Sequence, residues 1–206
     1  VKKAVEVSSD NVLILTYTEA NEAEIRNKFK NIIGYIPSNV FIQTWFTFLL
    51  REGVRPFQSI MDDGLHETDI GFYLTSKKSG CRYGTYYWGE EDFYKYYFTR
   101  SMKIYSDKIS KFVYRCNEKS DGQVINRITR VYKHILIDEV QDLAGYDLEL
   151  IKLFFKSSSH VLIVGDPRQV TYLTHHSTKY KKYRDGKIAE YIRKELRKDT
   201  VCEIDE

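Results

Sequence analysis

Two spacings of apolar residues alternate along the chain. Residues 11–18, NVLILTYT, form a short apolar run with turn residues ahead of it, which predicts a buried strand. The next stretch, EANEAEIRNKF (19–29), is rich in helix formers, with Ala20, Ala23 and Phe29 loosely on one side and Thr18 as N-cap. A second strand is predicted at NVFIQT (39–44), followed by an apolar helix at WFTFLLRE (45–52). From Gly53 the pattern breaks, and a hairpin turning at Lys77–Gly80 with β-rich flanks is predicted within DIGFYLTSKKSGCRYGTYYWG. Residues 89–132 read as mostly helical. Regular alternation returns with a strand at 134–138, a helix across 146–156, a strand at 160–166, a charged amphipathic helix at 185–199 and a last strand at TVCEI. The opening VKKAVEVSSD reads as the end of a helix and a polar turn.

Strands that alternate with helices imply a parallel sheet with helices on its faces. The middle of the chain is too long for a crossover and predicts an inserted subdomain. The expected organisation is a first part of the α/β domain at 1–52, an insertion at 53–132, and a second part at 133–206.

Composition narrows this only modestly. With 206 residues and 42% hydrophobic content, the chain supports one sizeable domain or one domain with an insertion, and its composition argues against global disorder. The net charge of +3 permits an anionic partner without demanding one. Cys81, Cys116 and Cys202 are odd in number and far apart. They suggest neither a disulfide framework nor a zinc site, and a cytoplasmic location is expected. No apolar run approaches a membrane span, so no membrane role is expected. The chain opens at Val1 in mid-pattern, as if cut from something longer. Aromatic content is high at 15%, with many of the seventeen tyrosines crowded into YGTYYWGEEDFYKYYF (83–98). That segment has two readings, a core for a small insertion or a platform for stacking nucleic-acid bases.

The chemistry gathers where the predicted strands end, the edge at which open α/β sheets bind ligands. LILTYT ends in threonines and a tyrosine, FIQT in Gln43 and Thr44, ILIDE in Asp138 and Glu139, and LIVGD in Gly165 and Asp166. Adjacent carboxylates point in different directions, so one can face a metal while the other accepts a proton from an attacking water. In VGDPRQ (164–169), Asp166, Arg168 and Gln169 are expected beside those acids, and a glutamine there can hydrogen-bond a γ-phosphate or the water. The plainer reading makes both segments polar surface turns, with Asp142 capping the helix that follows.

ILIDEVQDL followed by LIVGDPRQ resembles motifs II and III of the UvrD/Rep-like superfamily-one helicases. LTYTEANEAEIRNKF (15–29) is similar to their motif Ia, and TWFTFLL (44–50) to motif Ib. The resemblance implies a RecA-like parallel sheet of the P-loop NTPase type with a mostly helical inserted subdomain. It implies Asp138 as the Mg²⁺ ligand, Glu139 as the catalytic base for ATP hydrolysis, and Gln169, with Arg168, at the nucleotide. Thr16, Tyr17, Thr18, Thr44 and Phe46 would contact single-stranded DNA, while Gln141 and Asp142 would support the site.

The sequence departs from the family pattern at several points. No G-x-x-x-x-G-K-[ST] occurs, and nothing corresponding to a second RecA-like domain follows. The chain is therefore expected to be a fragment that does not hydrolyse ATP alone. Phe46 stands where histidine is usual. After motif III, Thr174 and His175 take the usual tryptophan and arginine positions, leaving Tyr172, His175 or His176 as the base-stacking residue. Two further classes stay open: a DNA-dependent ATPase regulatory subunit of a nuclease or phage-defence complex, and a DNA-binding module without catalysis.

Overall fold

The computed structural model describes residues 9–84, 86–166, 179–183 and 187–196. The predicted last strand and the start of the chain lie outside these residues.

Strand β1 (Val12–Thr16) is buried at every position, because both faces of the sheet are covered at its centre. Helix α1 (Glu19–Ile33) begins where the Thr18 hydroxyl accepts the Asn21 N–H at 3.1 Å, satisfying an end donor that has no partner inside the helix. It ends at Gly34 in the left-handed region, φ 84°. Its packed row is Ile25, Phe29 and Ile33, whereas Ala20 and Ala23, expected on the buried side, are exposed. The larger side chains remove more apolar area from water, so they set the rotation of the helix. Strand β2 (Val40–Thr44) pairs parallel with β1, from Val12↔Val40 to Thr16↔Thr44. A short helix α2 (Trp45–Phe48) then widens into a π-helical turn, Leu49–Val54, in place of the plain helix expected at 45–52. That turn lays Gly53 on Val113, where a Cβ would come within 2.7 Å of both methyl groups.

After helix α3 (Gln58–Met61), the insertion departs from the sequence expectation. The predicted hairpin at Lys77–Gly80 does not form. Strand β3 (Gly71–Tyr73) instead pairs parallel with β6 (Lys103–Tyr105). Strand β4 (Cys81–Tyr83) pairs antiparallel with β5 (Tyr86–Tyr87), turning at Gly84 with φ 57°. The 77–80 loop is occupied otherwise: Ser79 donates its N–H to Asp107 Oδ2 at 3.2 Å, and Gly80 O accepts from Trp88 N at 2.8 Å. Helices α4 (Phe93–Tyr97), α5 (Ile109–Lys119) and α6 (Gln123–Val131) give the helical character expected of 89–132.

Strand β7 (His134–Ile137), helix α7 (Tyr146–Phe155), strand β8 (His160–Ile163) and helix α8 (Ile188–Glu195) follow. The resulting parallel sheet has the order β2-β1-β7-β8. On one face Val12, Ile14, Val40 and Ile42 pack under Phe29. On the other, Leu13, Leu15, Ile135 and Ile137 join one continuous core with the insertion, which includes Phe48, Phe112, Val113 and Phe154. Among the described residues no helix is long and apolar enough to cross a membrane.

Candidate functional site at the carboxyl edge of the sheet

The ladder brings the strand ends to one edge. Asp138 donates its N–H to Leu15 O at 2.8 Å, and Val164 and Val140 continue the β7–β8 ladder through Val164 N to Ile137 O (2.8 Å) and Val140 N to Val164 O (3.1 Å). Thr16, Thr44, Asp138 and the 164–166 segment therefore end side by side.

At Glu139 the chain turns through a left-handed conformation, φ 55° and ψ 43°. This is uncommon for a residue with a Cβ and marks places where local backbone strain serves a purpose. The turn lets the Glu139 N–H donate to its neighbour's Asp138 Oδ1 at 3.1 Å. Burial pushes the Asp138 carboxyl above its ordinary value, the charge of Glu139 adds to this, and the Glu139 N–H opposes it. A one-turn 3₁₀ helix, Val140–Asp142, follows, and Gln141 reaches back so that its Nε2 donates to Glu139 Oε2. Gly165 crosses directly above: a Cβ there would meet Gln141 Oε1, and would stand 2.9 Å from Val140 Cγ1 and 3.1 Å from Val140 N. The glycine in VGD is thus required by close approach to the acid loop.

Three polar atoms at this edge, Thr16 Oγ1, Gln43 Oε1 and Gln141 Oε1, are buried without a hydrogen-bond partner. Native proteins leave few such atoms, and they cluster where a ligand or water is expected. Among the described residues no group of three or more His, Cys, Asp or Glu side chains gathers to hold a metal.

The remaining sequence candidates occupy varied places. Thr16 and Tyr17 are buried, and the Tyr17 ring meets Phe46 edge-on at 5.3 Å. Phe46 is also buried and stacks on Phe72 at 5.1 Å. Thr18 caps α1, and Thr44 caps α2 by accepting from Thr47 N at 3.3 Å. Asp142 is buried in the 3₁₀ turn, while the helix that follows starts at Gly145 without a side-chain cap. Arg168, Gln169, Tyr172, Thr174, His175 and His176 lie outside the described residues.

Sequence reasoning missed one polar centre. Asp147, fully buried at 0% exposure, accepts from Trp45 Nε1 at 2.8 Å, from Ala144 N at 3.1 Å, and from Ser110 Oγ. It joins the start of α2 to the start of α7, and so the ends of two strands. In sequence an acid in the first helical turn looks like any solvated one, and its partner is 102 residues away.

A parallel sheet that converges acids, amides and hydroxyls on its carboxyl edge defines the class of open α/β proteins that hold a ligand there. The UvrD/REP helicase N-terminal domain family matches residues 74–178, just over half of the chain, and the chain belongs to this family. It is similar to a probable DNA helicase II homolog of Mycoplasma capricolum subsp. capricolum, 33% identical over 66 residues, covering 32% of this chain and 9% of the relative. It is also similar to the RecBCD enzyme subunit RecB of Borreliella burgdorferi, 34% identical over 55 residues, covering 27% of this chain and 5% of the relative. A probable DNA helicase II homolog of Mycoplasma genitalium is 36% identical over 58 residues, covering 28% of this chain and 8% of the relative. The similarity thus spans less than a tenth of each relative's length.

Proposed function

We propose that the chain is part of the motor domain of an ATP-dependent DNA helicase or translocase, which couples Mg²⁺–ATP hydrolysis to movement on single-stranded DNA. The observation that carries this reading is the Asp138–Glu139 turn, where two carboxylates are set by a left-handed backbone at the ligand-binding edge of a parallel sheet. The division at 52/53 and 132/133 belongs to the same proposal.

The donor set fits Mg²⁺, which takes hard oxygen ligands, few of them from protein. Asp138 would hold the ion, and the unpartnered hydroxyl of Thr16 lies on the neighbouring strand end. When bound, the metal spreads the charge of the transferred phosphoryl group. Glu139 accepts the proton of the attacking water, and the Gln141 amide holds one of its oxygens in place. Gln169 and Arg168 address the nucleotide. Single-stranded DNA is assigned to the ends of β1 and β2, with Thr18 partly exposed and the buried Thr16, Tyr17, Thr44 and Phe46 forming the floor. Tyr172 and His175 supply the stacking contact.

The similarity to a RecB subunit favours a second reading, a DNA-dependent ATPase subunit of a nuclease complex.

The test is ATP hydrolysis by the full-length protein with and without single-stranded DNA, wild type against Glu139→Gln. A general base contributes about 10²–10⁴-fold, so the variant is expected to lose at least about 100-fold of the stimulated rate. Absence of DNA-stimulated hydrolysis in the wild type would overturn both readings and leave a binding module.

A further inference from the structure

The aromatic-rich segment 83–98 divides into two halves of opposite character. Phe93, Tyr97 and Phe98 turn inward and pack around Phe112, with ring centroids 5.2–6.2 Å apart. The β4–β5 ribbon turns its rings outward: Tyr86 is 72% exposed and Tyr87 42%. A two-stranded ribbon this short gains little from its own pairing, and its two adjacent exposed rings leave π-surface open to solvent.

Cations sit on these rings. Lys78 Nζ lies 4.1 Å from the centroid of Tyr87, and Lys95 Nζ lies 4.0 Å from that of Trp88. Lys77, Arg100 and Lys103 are exposed in the same stretch, against exposed Glu91 and against Asp92, whose Oδ1 lies 3.7 Å from Lys95 Nζ. Glu90, the acid next to it, is engaged inward with Lys111 at 2.6 Å and Arg115 at 3.1 Å. The ribbon therefore sets positive charge directly against exposed π-surfaces, the combination that holds single strands by base stacking and phosphate contact. Each ammonium rests on a ring face and reaches a phosphate by a rotation of its own flexible stem, which frees that face for a base.

We propose that the β4–β5 ribbon is a contact site for single-stranded nucleic acid, taking unpaired bases on Tyr86 and Tyr87 and phosphates on Lys78 and Lys95. This rests on the reading that the protein works on single-stranded DNA, and adds to it a site separate from the strand ends.

The experiment measures binding of the full-length protein to a fluorescent oligothymidylate and to an abasic strand of equal length. The proteins compared are wild type, the double variant Tyr86→Ala/Tyr87→Ala, the double variant Tyr86→Phe/Tyr87→Phe, and Tyr35→Ala, which removes an exposed tyrosine elsewhere. Removing both rings is expected to weaken oligothymidylate binding about tenfold or more, with abasic binding unchanged. The Phe pair and Tyr35→Ala are expected to bind as wild type. Lys78→Ala should reduce the salt slope by about 0.7 on both strands. Equal oligothymidylate affinity in wild type and the Ala pair overturns the site. So does an equal loss on both strands, which reports charge or folding rather than stacking. If single-stranded DNA stimulates wild-type hydrolysis and the Ala pair still binds normally, the ribbon site alone fails. If wild type neither binds the oligonucleotide nor is stimulated, the functional reading fails with it.

Discussion

Trp45→Phe removes one atom that matters, the indole N–H that reaches Asp147 Oδ1 at 2.8 Å. Both groups are shielded from water, at 1% and 0% exposure, so water does not replace the lost donor. A hydrogen bond to a charged group contributes about 1.5–3 kcal/mol. The smaller ring also leaves a void in a packed core, and as a fraction of a full Trp truncation this costs about 1–2 kcal/mol. The expected loss is therefore about 2.5–5 kcal/mol, a large part of the roughly 5–15 kcal/mol that stabilises a typical domain. Urea unfolding followed by circular dichroism measures it. Ser110 Oγ donates to the same Oδ1, so Ser110→Ala and the double variant complete a cycle. Two donors on one buried oxygen share its charge, and the double variant should lose at least about 0.5 kcal/mol more than the sum of the singles. A loss below about 1 kcal/mol for Trp45→Phe, or strict additivity in the cycle, would refute the account of Asp147 as a charged tie between α2 and α7.

Gly165→Ala forces a Cβ against Val140 N and the Gln141 side chain, so stability should fall by about 1–3 kcal/mol, and differential scanning calorimetry should record a lower Tm than wild type. For Glu90, partial burial works to raise the carboxyl from its ordinary 4.5, but hydrogen bonds from Lys111, Tyr97 and Arg115 outweigh it and hold the group at about 2. Its folded value is depressed, so its stabilisation is present above about pH 4.5 and fades as pH falls toward about 2. Acid titration of Tm should show that decline in wild type and a flatter profile in Glu90→Gln. Burial pushes the Cys116 thiol up to about 12, whereas Cys81 is exposed. Iodoacetamide at pH 8 followed by peptide mapping should modify Cys81 quickly and leave Cys116 intact until urea unfolds the chain.

Sequence and structure agree where the forces are local or uniform. VLILT reads as a strand because both faces of β1 are buried and every position had to be apolar or small. Thr18 reads as a cap because capping depends on a backbone donor three residues away. The acid turn was visible as an apolar run ending in carboxylates, but the left-handed backbone of Glu139 was not, since no glycine or asparagine announces it. The hairpin at Lys77–Gly80 failed for a related reason. Its turn residues suit a hairpin, yet Gly71–Tyr73 finds a better partner in Lys103–Tyr105, and no local pattern encodes a parallel pairing so far along the chain, Gly71 with Lys103. Asp147 stayed hidden because its partnership is decided by a segment far away in sequence.

The strand order has a consequence in time. β1 reaches β2 after a single helix, but it must also pair with β7, Val12 with His134, across the whole insertion. Closing so long a loop before any contact rewards it is entropically slow. Contacts within the helices of the insertion close much shorter loops, so they are expected to form first and to bring β1 and β7 closer together. This leaves the acid turn at the end of β7 among the last parts expected to assemble. A mutation that unsettles α5 or α6 would delay the completion of an edge it never touches, and would show as a slower refolding phase by circular dichroism, with the final signal unchanged.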